Sequence, residues 1–255
     1  MIRLILTDLD HTLLRSDGTI SEHTLDVIGR CRDKGIAFAI ATARYWIGAE
    51  KYIDILRPDY EITTDGTLIH SKEGCIYSSE FSVEDTNRII AELLGALPTA
   101  EITMASGKDV YWNSKHIDKS EKLHKAIYCE YDRPLDIRGN KIVAELPDEK
   151  IARSIAEKVG CKLQCYRGEN WYAFLPSGSG KTVAVEALAG SLGIDLCDIA
   201  AFGDDLNDID MMNMCGTGVA VANAVKEVLD IADDVTLTND EDGVARWLES
   251  HVLRS

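Results

Sequence analysis

The stretch "IRLILTDLDHTLL", residues 2–14, is the most informative segment for the fold of the chain. Residues 2–6 form a mainly apolar run that predicts a buried strand. Two carboxylates, Asp8 and Asp10, follow this run at once, and His11 stands directly behind them. Because side chains alternate along an extended strand, we expect both carboxylates to point the same way. Paired negative charge at the end of a buried strand indicates a ligand or ion site.

Composition limits the classes of partner. The chain has 255 residues, 45% of them hydrophobic, and its 27 Lys and Arg against 43 Asp and Glu give a net charge of −16. An acidic surface repels nucleic acid and anionic lipid, so we expect neither as a partner. We find no secretory signal or membrane-span pattern. The seven cysteines follow no disulfide framework. We therefore expect free thiols and a cytoplasmic location, with no protein partner evident.

Apolar runs alternate with segments of helical period over much of the chain. The predicted helices cover residues 21–35, 181–193 and 242–253, and two of the predicted strands cover residues 36–44 and 198–205. Continuous apolar strands that alternate with helices are typical of βαβ units. The pattern predicts an α/β fold with a doubly wound, Rossmann-like parallel sheet.

The middle of the chain has a different pattern. From residue 81 to residue 176 the predicted strands carry one polar face, which is typical of an antiparallel sheet with helices on one side. We therefore predict an α/β core formed by residues 1–80 and 177–255. Residues 81–176 form an inserted α+β cap domain in this interpretation. The Gly and Ser residues of "LPSGSG", residues 175–180, predict a hinge between the two.

Polar residues follow the predicted strands of the core. Asp8 and Asp10 end the first strand, residues 42–44 end the second, and Asp204 ends a later one, with Asp208 one turn further on. Parallel sheets bind ligands at the carboxyl ends of their strands. Carboxylates brought together there repel unless a cation sits among them, and an all-oxygen donor set favours Mg²⁺. The alternative is that these acids are solvated at loop tips.

The segment "GSGKT", residues 178–182, is similar to the end of a P-loop motif. That motif places its first Gly where this chain has Leu175, so we reject it. What remains is Lys181 at the start of a predicted helix, able to reach an anion at the strand ends. A solvated surface lysine is the alternative.

Four segments together resemble the motifs of the haloacid dehalogenase-like hydrolases, in the order of that family. They are "DLDHTLL" (8–14), "ATAR" (41–44), "GSGK" (178–181) and "GDDLND" (203–208). "GVAVANAVKEV" (218–228) and "ADDVTLTNDEDGVA" (232–245) resemble the Cof-type phosphatase branch. The position of the predicted insertion also suits that branch.

The resemblance implies a Mg²⁺-dependent phosphatase of small phosphate esters, such as sugar or other metabolite phosphates. It makes Asp8 the nucleophile that forms an aspartyl-phosphate, and Asp10 the general acid and base. It assigns phosphoryl oxygen binding to Thr42. Lys181 pairs with Asp8 and with the phosphate in this interpretation.

The same resemblance implies the ligand sets. The metal is held by Asp8, the backbone carbonyl of Asp10, Asp204 and Asp208, with Asp205 in support. The substrate is bound by Thr42, Arg44, Lys181 and Asn207. Phosphoryl transfer requires charge neutralisation and in-line positioning, which agrees with this set.

Three positions depart from the family pattern. The family usually has Gly at His11 and at Ala43, and Asn at Asp65. In the predicted cap, the residues that we consider as contacts to a leaving group are Trp112, His116, Arg167, Trp171 and Tyr172. We expect each of them to be structural or at the surface, because an aromatic residue on a strand usually packs.

Two other functions use similar residues. A phosphoacceptor signalling domain also places Asp, Thr, Lys and Mg²⁺ at strand ends, but it lacks an acid and base such as Asp10 and has no inserted cap. A non-catalytic phosphate-binding protein descended from the enzyme is compatible with the three departures.

Overall fold

The computed structural model of the protein describes residues 1–116, 123, 125–166 and 170–254. In chain order its strands are β1 (Leu4–Thr7), β2 (Ala37–Ala41), β3 (Tyr60–Thr63), β4 (Leu68–Ser71), β5 (Gly74–Ser78), β6 (Ile102–Ser106), β7 (Asp109–Trp112), β8 (Ile127–Tyr128), β9 (Lys141–Glu145), β10 (Lys162–Cys165), β11 (Trp171–Leu175), β12 (Ile199–Gly203), β13 (Thr217–Ala220) and β14 (Asp234–Val235). Its helices are α1 (Glu22–Asp33), α2 (Trp46–Leu56), α3 (Val83–Ala96), α4 (Glu149–Val159), α5 (Lys181–Leu192), α6 (Ile209–Met214), α7 (Lys226–Ile231) and α8 (Gly243–Leu248).

The first sheet, here called the main sheet, has the order β14-β13-β12-β1-β2-β3-β4-β5. Its strands pair in parallel from β14 to β3, whereas β4 and β5 are antiparallel and form its edge. β1 lies between β12 and β2, and all four of its residues are buried. The predicted α/β fold class is confirmed. The carboxyl ends of β12, β1 and β2 therefore meet at one edge of the sheet.

Local sequence signals explain how the first helix begins and ends. The hydroxyl of Ser21 accepts a hydrogen bond of 3.0 Å from the Thr24 backbone N–H, which caps the amino end of α1. Gly35, two residues after the helix, adopts φ +79°, a left-handed conformation that favours glycine. Val27, Ile28 and Cys31 on one face of α1 are buried in the hydrophobic core of the main sheet.

The second sheet, of order β10-β11-β9-β6-β7-β8, is antiparallel except where β8 joins β7. With α3 and α4 it forms what we call the antiparallel unit. Ile89 of α3 and Ile155 of α4 pack with Met104, Ile142 and Phe174 in a hydrophobic cluster separate from that of the main sheet. The helices therefore cover one face of this sheet. The domain boundaries at residues 81 and 176 stay a prediction.

The opposite face of the antiparallel unit contacts the carboxyl edge of the main sheet. The Tyr45 and Thr103 hydroxyls lie 2.8 Å apart, and Lys141 Nζ donates a hydrogen bond of 2.9 Å to the Ala43 carbonyl. Thr103 and Lys141 lie on β6 and β9, on the face that α3 and α4 leave open. The space between the two sheets therefore lies over the predicted site. Among the described residues, no helix is both long enough and apolar enough to cross a membrane.

A strained turn follows β3 and packs closely against the start of α5. Thr64, Asp65 and Gly66 have φ values of +57°, +57° and +82°. Such values are rare for a β-branched residue such as Thr64, so surrounding contacts must hold the turn in place. A Cβ atom placed on Gly66 would lie 2.4 Å from the carbonyl carbon of Gly180. Only glycine allows this close approach of the two backbones.

Two glycine substitutions separate this packing constraint from the backbone conformation. Gly35 and Gly66 have similar positive φ values, but nothing lies within 4 Å of a Cβ on Gly35. We expect Gly35→Ala to lower the free energy of unfolding by about 1 kcal/mol, through backbone conformation alone. Gly66→Ala has the same conformational cost and must also displace the Gly180 backbone. Denaturant titration should therefore show a clearly larger loss for Gly66→Ala, and equal losses would contradict the packing argument.

Candidate active site

Lys181 lies between two buried carboxylates at the carboxyl edge of the main sheet. Its Nζ donates hydrogen bonds to Asp8 Oδ1 at 2.7 Å and to Asp208 Oδ1 at 2.6 Å. Asp8 follows β1, Lys181 is the first residue of α5, and Asp208 ends the short turn after β12. All three residues are buried, and the side chain of Lys181 is only 4% exposed. The structure thus brings together three of the predicted site residues.

Burial and charge shift the titration of this group in opposite directions. Burial raises the pKa of Asp8 well above its usual value, Lys181 opposes this shift, and Asp208 adds to it. For Lys181, burial alone would lower the pKa, but the charges of Asp208 and Asp8 outweigh burial and raise it. Lys181 is therefore a permanent cation. Further positive charge near Asp8 would favour its ionised form, against the effect of burial.

Asp204 completes an acidic cluster beside this pair. One carboxylate oxygen from each of Asp8, Asp204 and Asp208 lies within 4.8 Å of the others. Asp208 is oriented by the backbone N–H groups of Asp204 and Asp205, which donate to its Oδ2 at 3.1 and 3.3 Å. Burial raises the pKa of Asp204 to about 6, although the hydroxyl of Thr12, which donates a 2.5 Å hydrogen bond, opposes the shift.

The cluster fits a hard divalent cation. Its donors are all carboxylate oxygens, and its three carboxylates lie near one ammonium, that of Lys181, which contacts Asp8 and Asp208. The excess negative charge is held where burial penalises it, so a bound cation relieves the repulsion. An aspartate cluster able to hold a metal ion is therefore present at the predicted position.

Asp10 is turned toward a different partner. The Arg44 guanidinium contacts both carboxylate oxygens of Asp10, with Nε donating to Oδ2 at 2.6 Å. Burial would lower the pKa of Arg44, but its hydrogen bonds with Asp10 and the nearby negative charge, chiefly that of Asp10, together outweigh burial and raise it. The expectation that Asp8 and Asp10 point the same way assumed that both lie on the strand. β1 ends at Thr7, so strand alternation does not extend to Asp10.

The other predicted substrate contacts lie around the same edge. Thr42 is buried after β2, and its hydroxyl accepts a hydrogen bond of 3.2 Å from the Arg44 backbone N–H. Asn207 is half-buried in the turn Leu206–Asp208. A cavity of about 520 Å³ opens beside Asp10 and Arg44. Lys125, which lies between β7 and β8, lines the same cavity.

The structure gives physical reasons for two of the departures from the family pattern. His11 has φ +58°, a conformation that glycine adopts without strain, and its side chain is exposed. The side-chain amide of Asn223 donates a 2.8 Å hydrogen bond to the His11 carbonyl. Asp65 is buried, and its carboxylate forms an ion pair with Lys141. Its charge is therefore compensated. Nothing in the structure explains the choice of Ala43.

The residues considered in the predicted cap have different surroundings. Trp112 is buried, and Tyr172 packs in the hydrophobic cluster of the antiparallel unit. Trp171 is half-buried and His116 is exposed. Arg167 lies outside the described residues.

Sequence reasoning missed three residues at this edge. Thr12 contacts Asp204, and its place four residues after Asp8 within the first motif is a signal that could have found it. Lys141 and Tyr166 both contact Asp65. No local pattern marks either of them.

The fold and this edge define a hydrolase class. A family model described as haloacid dehalogenase-like hydrolase matches residues 5–248. The chain belongs to the haloacid dehalogenase-like hydrolases, and the expected Cof-type resemblance is confirmed.

Individual relatives extend along nearly the whole chain. The 5-amino-6-(5-phospho-D-ribitylamino)uracil phosphatase YitU of Bacillus subtilis is 28% identical, with 97% of each chain covered. An HMP-PP phosphatase of Escherichia fergusonii is 28% identical over 89% of this chain and 87% of its own. A solved haloacid dehalogenase-like hydrolase from Bacteroides thetaiotaomicron, 26% identical, has a TM-score of 0.83 and covers 98% of this chain and 99% of its own. The expectation of a phosphatase enzyme is confirmed.

The raised pKa of Asp204 predicts a pH dependence of stability in metal-free protein. Its pKa rises from 3.8 to about 6 on folding, so the folded state holds this proton more tightly than the unfolded state. The resulting stabilisation is present at low pH and is lost as the pH rises toward 6. With a chelator present, we expect wild type to lose stability relative to Asp204→Asn between pH 4.5 and about 6.5, and the difference to level off above that range.

The measurement is the free energy of unfolding of both proteins at each pH. Asp26→Asn, which removes an exposed carboxylate from α1, is the control for the loss of one acidic side chain. A difference between wild type and Asp204→Asn that does not change with pH would contradict the raised pKa.

Proposed function

We propose that the protein is a Mg²⁺-dependent phosphatase that hydrolyses small phosphate esters through an aspartyl-phosphate on Asp8. The observation that carries this proposal is the buried contact of Lys181 with Asp8 and Asp208 at the strand ends. It supplies a nucleophile and a fixed positive charge in one desolvated place, and transfer of a phosphoryl group depends on both.

In the first step, a carboxylate oxygen of Asp8 attacks phosphorus as the ester oxygen departs. The O–P bond to Asp8 forms, the P–O bond to the leaving group breaks, and a proton from Asp10 passes to the departing oxygen. In the second step, water attacks phosphorus and gives a proton to Asp10. Inorganic phosphate leaves and the Asp8 carboxylate is restored.

Arg44 and Thr42 take part in binding the phosphate in this proposal. In the structure the Arg44 guanidinium donates to the carboxylate of Asp10. A phosphate dianion competes for the guanidinium, which is a strong donor to phosphate oxygens. Asp10 is then released, and it takes up a proton from solvent before it donates that proton to the departing ester oxygen. The buried Thr42 hydroxyl and Lys181 bind other phosphoryl oxygens, and Asn207 contacts the substrate at the rim.

Asp8, Asp204 and Asp208 hold the metal ion through their side chains, and the Asp10 carbonyl and Asp205 support it. When bound, Mg²⁺ neutralises charge on the phosphoryl oxygens and on the carboxylates. Supporting observations are the hard oxygen donors and the uncompensated charge of the cluster. An ion there also favours the ionised form of Asp8, against the effect of burial on its pKa.

The leaving group occupies the cavity beside Asp10, which is lined by residues from the ranges 10–18 and 44–54 and by Lys125. We propose that the antiparallel unit acts as the substrate-specificity cap. The cavity has room for a small metabolite, since its volume is about 520 Å³. The named relatives are phosphatases of 5-amino-6-(5-phospho-D-ribitylamino)uracil and of HMP-PP. Both names support a small phosphorylated metabolite as the substrate class. A panel of sugar, nucleotide and vitamin-precursor phosphates with and without Mg²⁺ tests the proposal. Phosphate binding without turnover would favour a non-catalytic protein instead.

Replacing the nucleophile should abolish turnover without unfolding the protein. Asp8→Asn nearly preserves shape but removes the attacking carboxylate, so we expect kcat below about one hundredth of wild type. The matched control is Asp26→Asn, which removes an exposed carboxylate from α1 and should keep full activity. Residual turnover of Asp8→Asn above that level on the best ester would contradict a covalent route through Asp8.

Mg²⁺ should stabilise the folded protein by binding among the clustered carboxylates. We expect Tm at neutral pH to rise by several degrees in millimolar Mg²⁺ and to return on chelation, because a ligand that binds only the folded state stabilises it. Asp204→Ala should lose most of this rise, whereas Asp26→Asn should keep it. A wild-type Tm that does not respond to Mg²⁺ would contradict the metal assignment.

A further inference from the structure

A buried ion pair joins the antiparallel unit to the main sheet. The carboxylate of Asp65 contacts the ammonium of Lys141 and accepts a 3.0 Å hydrogen bond from the Tyr166 hydroxyl. Asp65 lies in the strained turn after β3, whereas Lys141 begins β9 and Tyr166 follows β10. The side chains of Asp65 and Lys141 are 5% and 4% exposed. Two groups from one unit therefore converge on a single carboxylate of the other.

The same pair holds the segment that carries Thr42. Lys141 Nζ donates a 2.9 Å hydrogen bond to the Ala43 carbonyl, and the Asp65 backbone N–H donates one of 3.3 Å to the Thr42 carbonyl. The Thr64 N–H donates a further hydrogen bond of 2.7 Å to the Arg44 carbonyl. The three carbonyls after β2 are thus fixed by the pair and by the turn that contains Asp65.

The turn that contains Asp65 also contacts the start of α5, which carries Lys181. Gly66 approaches Gly180 so closely that a Cβ at Gly66 would lie 2.5 Å from the Lys181 backbone nitrogen. The turn that contains Asp65 therefore packs against the backbone that bears Lys181 and is hydrogen-bonded to the segment 42–44. Because the turn has positive φ at three successive residues, it depends on these contacts to keep its shape.

We infer that Asp65 and Lys141 are positioning residues that make the phosphate-binding geometry of Thr42 and Lys181 depend on the seating of the antiparallel unit. This inference rests on the proposed phosphatase function. A buried ion pair adds little net stability, since desolvation offsets the attraction of the charges, so its main effect is to fix geometry. Separation of the unit from the main sheet would expose both charges to water, and renewed contact would restore the pair together with the hydrogen bond to the Ala43 carbonyl.

Single and double variants separate positioning from stability. Lys141→Met leaves the Asp65 carboxylate buried without its cation, so we expect Tm to fall by roughly 5 °C or more. With p-nitrophenyl phosphate as substrate we expect kcat to fall about tenfold and KM to change by less than about threefold, because orientation of the bound phosphate is lost.

The double variant Asp65→Asn/Lys141→Met removes both charges together. Asn tolerates the left-handed conformation and keeps an acceptor for the Tyr166 hydroxyl. We expect its Tm to return close to that of wild type while its kcat stays about tenfold low, because the link from Lys141 to the Ala43 carbonyl is still missing. Lys108→Met is the control. Lys108 of the antiparallel unit lies 3.9 Å from the centroid of the Trp46 ring, and losing this contact should leave kcat unchanged.

The outcomes are distinct. A double variant that recovers both Tm and kcat would show that the pair contributes only stability, and the inference would be wrong. A Lys141→Met protein with wild-type kcat would overturn it equally. A wild-type protein with no phosphatase activity on any ester would instead reject the proposed function, and this inference with it.

Discussion

The contact of one buried ammonium with two carboxylates is the constraint on which the rest of the site depends. Lys181 must reach Asp8 and Asp208 at the same time, at 2.7 and 2.6 Å. Burial penalises every charge in this group, so small displacements are costly. Parallel strands bring Asp8 and the turn after β12 to one edge, and the approach of Gly66 to Gly180 fixes the start of α5. With Asp204 nearby the group still holds excess negative charge, which is the physical argument for a metal ion.

Local pattern was sufficient for much of the main sheet. The apolar runs of β1, β2 and β12 are long enough, and bounded clearly enough, to predict buried parallel strands and their helices. The strained turn at residues 64–66 could not be predicted in the same way. Its positive φ values depend on packing against Gly180, which is distant in sequence, and Thr64 by itself disfavours them.

The same distinction holds for the site. The placement of Asp8, Asp208 and Asp204 follows from the rule that strand carboxyl ends converge, whichever residues lie between them. The partner of Asp10 does not follow from this rule. The strand ends before Asp10, and the carboxylate of Asp10 contacts Arg44. The Asp65–Lys141 ion pair could not be predicted from sequence either. Its cation comes from the inserted part of the chain, where the sequence does not indicate which face of the sheet contacts the core.

The central claim is that Asp8 carries the phosphoryl group between the two steps. Rapid quenching during turnover, followed by borohydride reduction, tests it most directly, because hydride converts an acyl phosphate of aspartate to homoserine while free carboxylates do not react. Peptide mass spectrometry should then find homoserine at position 8, dependent on substrate, with Asp10, Asp204 and Asp208 unchanged. Active protein that yields no reduced residue at position 8, or yields one at another aspartate, would contradict the account.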